Sequence, residues 1–200
     1  MCIFYKIEFF SDWHCGTGQT SGADTSALVI TDEYGFPYIP GKTLKGLLRE
    51  AAENLTVFAK DKYNSETMND IFGVKVNETP TEKESIKDPS VPGKAVFSNG
   101  ELTENLKKHI DKEGLKECLF RITSSTAIDK AGQAKDTSLR KTQVTVPLPL
   151  FAKINNVNDS QKELLKNCMK WVKRLGQNRN RGLGRCQLSV IDTAKEEKQS

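Results

Sequence analysis

Two amphipathic helical segments, each set between strand-like stretches, constrain the fold of this chain more than any other feature. The first helix is predicted to begin after Gly41. The second is predicted to begin at a capping box of Ser160 and Glu163 and to end at Gly176. Apolar side chains recur every three or four residues in both, so each helix has one face that must be buried. The two stripes are Leu44, Leu47, Leu48, Ala51, Leu55, Phe58 and Ala59, and then Leu164, Leu165, Cys168, Val172 and Leu175.

The strand-like stretches alternate apolar and polar residues. The first covers residues 2–10, where Ile3, Tyr5, Ile7 and Phe9 share one face. Further strands are predicted at 25–32, 94–98, 117–129, 144–154 and 186–192, and a surface helix at 103–114. Pro147 and Pro149 predict an edge position for the strand that contains them. The order strand, helix, strand, strand, helix, strand predicts an α+β, ferredoxin-like two-layer sandwich, with helices covering one face of an antiparallel sheet.

The length of 200 residues suits one domain with a full core. We expect a single domain over residues 1–193, with insertions at about 60–93 and 128–142, and a disordered tail at 194–200. The first insertion is polar around one apolar island and is predicted to be a long, mobile excursion. Residues 129–143 have almost no apolar pattern and predict a protruding loop or hairpin. Trp171, beside the second helical stripe, is predicted to lie in the core.

Composition narrows the class of protein. Hydrophobic residues make up 36% of the chain and charged residues 28%, as in soluble globular proteins. No apolar run approaches the roughly 20 residues that span a bilayer, and the alternating N-terminus does not read as a secretory signal. The 5 cysteines are odd in number and widely spaced, which argues against zinc or a disulfide framework. We therefore expect a reducing, cytoplasmic setting and no membrane partner.

Positive charge is concentrated near the C-terminus. The segment 164–191 contains no acidic residue, although the whole chain has a net charge of only +4. It contains seven cations, namely Lys166, Lys170, Lys173, Arg174, Arg179, Arg181 and Arg185. A solvated helix face is the common reading of a charge run, but such a face usually mixes signs. The cluster favours a polyanion, and specifically a nucleic acid.

Gly41-Lys42-Thr43 resembles the end of a phosphate-binding P-loop, but the rest of that motif is missing. The required glycine position holds Phe36, and the prolines before Gly41 remove N–H donors from the loop. Nucleotide hydrolysis is therefore not expected. Lys42 and Lys45 lie in the first turn of a helix, where free N–H groups and the helix dipole favour an anion. We expect them to hold a phosphate, the alternative being that both lysines extend into water.

Five segments, in this order, resemble the RAMP superfamily, specifically the backbone subunits of type III CRISPR effector complexes. They cover residues 22–53, 70–73, 94–102, 121–147 and 179–186. The most specific pieces are PYIPGKTLKG and AIDKAGQAKDTSLRK, and the resemblance extends over about residues 3 to 191.

The resemblance implies a modified RNA-recognition-motif fold whose copies stack as a filament along a guide RNA. The implied partners are the guide crRNA, the target RNA, further copies of the chain and other type III effector subunits. A glycine-rich loop would lie against RNA, and residues 128–142 would form a thumb that distorts the guide–target duplex. Asp24 would be required for target RNA cleavage. Together with the charge pattern, this gives a set of expected RNA contacts: His14, Lys42, Lys45, Arg49, Lys130, Arg140, Arg179, Arg181, Gly182, Gly184 and Arg185.

Asp24 needs a chemical role that a carboxylate can perform. With an ordinary pKa of about 3.9, a carboxylate is a poor base for a ribose hydroxyl at neutral pH. We therefore expect Asp24 to orient the 2′-hydroxyl of the RNA or to hold a divalent metal, Mg²⁺ being the expected cofactor. On its residue type alone, a loop aspartate is more often a turn former.

Two further hypotheses stay open. The chain could be a guide-binding scaffold in which Asp24 is inert. It could also be a guide-processing endoribonuclease with His14 as its general base. Against that role, His14 has no evident catalytic partner, and we favour its packing or stacking with Trp13 at the RNA surface. Asp32 and Glu33 are predicted to be turn formers, with a share in metal binding left open. Asp129 and Asp136 are predicted to be solvated.

Overall fold

The computed structural model describes residues 1–16, 18, 27–60, 62–74 and 91–191. Its central sheet consists of four antiparallel strands in the order β2 (Val96–Phe97), β5 (Leu150–Asn155), β1 (Cys2–Phe9) and β6 (Cys186–Ile191). The alternation in β1 is as predicted, because Ile3, Tyr5, Ile7 and Phe9 are all buried. The side chains between them point to the other, more exposed face of the sheet.

Two long helices cover the buried face of this sheet. They are α1 (Gly41–Phe58) and α4 (Asp159–Trp171), which pack against each other. Leu44, Leu48, Leu164 and Leu165 from the two predicted stripes are 1% exposed or less. Burying one apolar face of each helix on the sheet provides the main stabilisation. The ferredoxin-like α+β class is confirmed.

The first insertion contains a helix that the sequence analysis missed. Helix α2 (Ser65–Phe72) begins where the Asn64 side chain accepts a hydrogen bond from the backbone N–H of Thr67, at 2.8 Å. Ile71 and Phe72 are buried against the core, so a mobile excursion is wrong for this part. The apolar island was the signal for it. Residues 75–90 lie outside the described residues, as does the predicted tail.

Residues 117–154 differ most from prediction. Two strands were expected in one sheet, but the chain forms a 3₁₀ turn at Lys116–Leu119 and then a separate ribbon of β3 (Phe120–Ser125) and β4 (Arg140–Thr145). Pro147 and Pro149 end the ladder instead of marking an edge strand, since neither can donate a backbone hydrogen bond. The following strand, β5, is central in the main sheet. Between the ribbon and β2 lies α3 (Glu104–Lys112), where a surface helix was predicted.

Helix α4 is shifted relative to its predicted limits. Its N-cap is Asn158, which exchanges hydrogen bonds with Gln161 in a capping box, so the predicted box of Ser160 and Glu163 is wrong. The helix ends at Trp171, five residues before Gly176. The segment that follows turns back to pair with the start of β6, through a bridge between Arg174 and Arg185. In the described part of 25–32 only isolated bridges form, so the predicted strand there is also wrong.

Among the described residues, no helix combines the length and apolar character needed to cross a membrane.

Candidate nucleic-acid interface

The backbone of the glycine-rich loop, residues 176–185, is hydrogen-bonded to the residues that follow β1. Its Gln177 N–H donates to the carbonyl of His14, and its Gly184 N–H donates to the carbonyl of Asp12, both at 2.8 Å. Gly184 also accepts from the N–H of Leu175 at 2.8 Å, which closes the loop on itself. Residues 12–14, which follow β1, therefore fix the position of the loop.

Glycine is required at two points of this contact. A Cβ on Gly184 would lie 1.8 Å from the carbonyl oxygen of Leu175, and one on Gly176 would lie 2.4 Å from that of His14. Both residues also have positive φ values, of 69° and 93°. A side chain at Gly176 would therefore push the loop away from His14, and one at Gly184 would break the close approach of the loop's two ends at Leu175.

A cleft of about 330 Å³ separates the glycine-rich loop from α1. Glu50 of α1 and Arg179 of the loop line it and form an ion pair, with 3.4 Å between Arg179 Nη2 and Glu50 Oε1. Thr43, Gly46 and Leu47 complete the helical wall. The cleft therefore brings together the loop and the first turns of α1, two segments expected to contact RNA.

The basic residues of the loop differ in exposure and in whether they are paired with a carboxylate. The Arg181 side chain is exposed and makes no ion pair or hydrogen bond with any described residue. Arg185 is exposed too, with its guanidinium 6.0 Å from the ring centre of Phe10. Arg179 is half-buried and is the one cation of the seven in 164–191 that pairs with a carboxylate within the described ranges. The loop thus presents at least two cations to solvent, as the charge pattern predicted.

The N-terminus of α1 is less open than expected. The Gly41 N–H donates to Asn99 Oδ1 at 2.9 Å, and a Cβ on Gly41 would lie 2.3 Å from the carbonyl oxygen of Phe97. The idea that this N–H is free for a phosphate is therefore wrong. Lys42 is exposed and Lys45 half-buried, so their ammonium groups remain candidates for RNA contacts.

Arg49 follows Lys42 and Lys45 on one face of α1, at spacings of three and four residues. The Arg49 side chain is only 17% exposed, and its Nε lies 3.1 Å from Glu53 Oε1. This face adjoins the one that lines the cleft. The structure therefore places Arg49 within α1's own surface network and not in the cleft.

His14 is buried, and its predicted position at a surface is wrong. Its Nδ1 lies 2.6 Å from the carbonyl oxygen of Gln143, and neither ring nitrogen is exposed. Since a carbonyl can only accept, Nδ1 carries the proton. The other nitrogen, Nε2, has no partner among the described residues. Trp13 is also buried and stacks on Phe9, with ring centres 4.9 Å apart.

Gln143 of β4 is the residue that the sequence analysis missed. Besides the contact with His14, its side chain accepts from the Val29 N–H at 3.0 Å, and its own N–H donates to the Ala27 carbonyl at 3.1 Å. The base of the ribbon is thereby attached to Ala27, Val29 and His14, and the His14 carbonyl also accepts from the glycine-rich loop. Nothing in the local pattern distinguishes this glutamine from an ordinary strand residue.

The ribbon carries the two thumb cations away from the sheet. Lys130 lies in the turn at its tip and Arg140 begins β4, and both are exposed. Asp129 is exposed, as predicted, but its Oδ1 also accepts from the N–H groups of Ala131 and Gln133, at 2.8 and 2.9 Å. The hairpin reading of this segment is confirmed. Asp136 is exposed as well.

A family model described as the RAMP superfamily matches residues 6–187. The chain belongs to the RAMP superfamily. A search of curated proteins finds no match. The recognised resemblance is therefore confirmed at the level of the family.

Solved structures agree with the RAMP assignment. One similar chain is from the cryo-EM structure of the type III-B Cmr-beta complex bound to cognate target RNA, with a TM-score of 0.66 and 12% identity. The match covers 95% of this chain and 97% of that one. A chain of the same complex in its apo state gives a TM-score of 0.67 at 12% identity, covering 96% and 98%. At this identity the similarity shows a shared fold.

Asp24, the expected catalytic residue of this RAMP protein, lies outside the described residues. Within the described part, no group of three or more His, Cys, Asp or Glu side chains converges to hold a metal. Asp32 is a turn former, as predicted, since its Oδ1 accepts from the N–H groups of Tyr34 and Phe36, at 3.0 and 2.9 Å. Cys15 lines the cleft, and burial raises the pKa of its thiol, which disfavours the thiolate form.

Proposed function

We propose that this RAMP protein is a backbone subunit of a type III CRISPR effector complex that binds guide RNA and cleaves the paired target RNA. The observation that carries the proposal is the glycine-rich, cationic loop fixed beside α1 in a chain of this family. Support also comes from the similar solved chains, which belong to a type III-B complex, in one case with target RNA bound.

The exposed cations support RNA binding by charge. Arg181 and Arg185 project from a loop whose backbone is fixed, so little conformational freedom is lost when a phosphate binds. Phosphate contacts of this kind would hold the backbone of the guide, while base pairing would supply sequence recognition. The ribbon would place Lys130 and Arg140 at a second point along the strand.

Cleavage is assigned to Asp24 with Mg²⁺. Mg²⁺ keeps several waters and usually binds one or two carboxylates together with substrate phosphates. A single carboxylate therefore fits this metal when the RNA supplies further oxygens. When bound, the metal would stabilise charge on the phosphate in the transition state.

The scaffold alternative keeps the same RNA contacts without cleavage. The guide-processing alternative depends on His14 as general base, and it is disfavoured because both ring nitrogens are buried. A general base must reach the proton that it removes.

Replacing Asp24 separates these functions. In the effector assembled with guide RNA and its other subunits, Asp24→Asn should lower target cleavage by about 100-fold or more, the scale of removing one group that stabilises the transition state. RNA affinity should stay within about twofold, because phosphate contacts are unchanged. The readout is the cleavage rate of a labelled target RNA at saturating Mg²⁺.

The matched control is Asp136→Asn, which removes an exposed carboxylate from the ribbon and should leave cleavage unchanged. Unchanged cleavage in Asp24→Asn would instead establish the scaffold function. The guide-processing function would be established if the isolated chain cut a guide precursor, and if His14→Gln abolished this activity while Asp24→Asn kept it.

A further inference from the structure

An aromatic pair lies exposed on the helical side of the molecule. Phe58, the last residue of α1, is 74% exposed, and Trp171, the last residue of α4, is 45% exposed. Their ring centres are 5.8 Å apart with 29° between the planes, so each ring contacts the other and leaves its remaining surface to solvent. Val57 beside them is 63% exposed. Apolar surface grouped in this way commonly marks a binding site.

The pair stands at one end of a groove that leads toward the glycine-rich loop. Trp171, Arg174 and Asn54 line this groove, which measures about 300 Å³. Glu50 and Arg179 also line it, and the same two residues line the cleft beside the loop. Groove and cleft are therefore adjacent along the α1–α4 boundary, and a linear ligand in the cleft would continue toward the aromatic pair.

The charges around the groove favour an anionic occupant. Three cations line it, Lys173, Arg174 and Arg179, against one carboxylate, Glu50, which is already paired with Arg179. Arg174 is held in place, since its Nη1 donates to the carbonyl of Arg179 at 3.0 Å. A purely apolar protein segment would cover these cations without compensating them, which is costly. A nucleic-acid strand offers phosphates for the cations and base faces for the rings.

We propose that Trp171 and Phe58 form a stacking platform for an unpaired RNA base, next to phosphates held by Lys173 and Arg174. Aromatic side chains beside a cationic groove are the usual means of binding single-stranded RNA without sequence preference. The proposal rests on the proposed RNA-binding function and adds the residues that would hold a base. Trp13 offers the contrast, because it is fully buried against Phe9 and cannot contact a ligand.

Tryptophan fluorescence tests this directly, since the chain has 2 tryptophans and one of them, Trp13, is buried. Titrating the full chain with a 12-nucleotide oligouridine should quench the emission of Trp171. An abasic strand of equal length keeps the phosphates and should bind without quenching. Trp171→Ala should weaken oligouridine binding about tenfold and Phe58→Ala less, whereas Trp171→Phe, which can still stack, should stay within about threefold of the unsubstituted chain.

The control is Tyr34→Ala, which removes another exposed aromatic ring, 66% exposed, on the turn that Asp32 caps. It should leave RNA affinity unchanged. RNA binding without quenching, and with full affinity in Trp171→Ala, would overturn the platform and leave the proposed function standing. Loss of effector assembly in Trp171→Ala at unchanged RNA affinity would make the pair a protein contact and also overturn it. Absence of any RNA binding by the chain, alone and with its effector partners, would refute both proposals.

Discussion

Gly184 shows how a single residue can determine the position of a binding loop. Its φ of 69° lies in the left-handed region, and any Cβ would overlap the carbonyl oxygen of Leu175. Gly182 has a φ of 92°, but a Cβ there would meet no atom of the described residues within 4 Å. Substitutions at these two glycines therefore distinguish the effect of backbone conformation on stability from the effect of close packing.

We expect Gly184→Ala to lower the free energy of unfolding by at least about 2 kcal/mol, since strain and overlap add. Gly182→Ala should lower it by about 1 kcal/mol, the conformational term alone. Chemical denaturation of both variants measures the difference. Equal effects would show that the loop relaxes around the added methyl group at Gly184.

Residue environments were the least predictable level of the structure. His14 contacts Gln143, which is 129 positions away in the chain, and Asn99 occupies the N–H of Gly41 from 58 positions away. Periodicity reports only which face of an element is apolar, so it cannot reveal such partners. Trp171 illustrates the same limit. Its neighbours in the stripe are buried, but α4 ends at this residue and leaves the ring on the helix surface beside Phe58.

Elements with a long, regular pattern were predicted well. Helix α1 begins at Gly41 and ends within one residue of the predicted stripe, and β1 ends within one residue of its predicted limit. Exposed segments were predicted less well. Strand β3, for example, is exposed from Arg121 onward, so no buried face imposes alternation on it. The start of α4 was misplaced since Asn, Ser and Asp can all act as N-caps, and all three occur between 158 and 160.

Asn158 and Ser160 provide a test of where α4 begins. Asn158→Ala should lower the free energy of unfolding by about 1 kcal/mol, because the N–H of Gln161 loses its acceptor. Ser160→Ala removes only the hydroxyl that donates to Asn158 Oδ1 at 2.8 Å, and should cost less than about 0.5 kcal/mol. Thermal or urea unfolding reports both values. The reverse order would place the cap at Ser160, as the sequence pattern alone suggested.

At the scale of the whole molecule, charge is distributed asymmetrically. The net charge is +4, yet seven cations lie in 164–191, and all of them except the half-buried Arg179 are exposed. This asymmetry was visible in the sequence and survives folding, because α4 and the glycine-rich loop keep these side chains on the surface. Clustered surface cations of this kind attract a polyanion such as RNA.

The salt dependence of RNA binding measures how many of these cations meet phosphates. For single-stranded RNA, log affinity should fall by roughly 0.7 per phosphate contact for each tenfold rise in salt. Arg181→Gln should reduce the slope by about 0.7, whereas Lys108→Gln, on the exposed face of α3, should not change it. An affinity that does not respond to salt would exclude the C-terminal cations as RNA contacts.

One short stretch of chain, residues 12–14, anchors both protruding parts of the molecule, the ribbon through Thr145 and Gln143 and the glycine-rich loop through Gly184 and Gln177. Among the described residues, the hydrogen bonds of the ribbon's far end are all made within the ribbon. A change in the length of the ribbon at its tip would therefore leave the distance between its base and the glycine-rich loop unchanged. If copies of the chain stack along RNA, as proposed, the reach of the ribbon toward a neighbouring copy would be independent of the RNA contacts proposed for the glycine-rich loop.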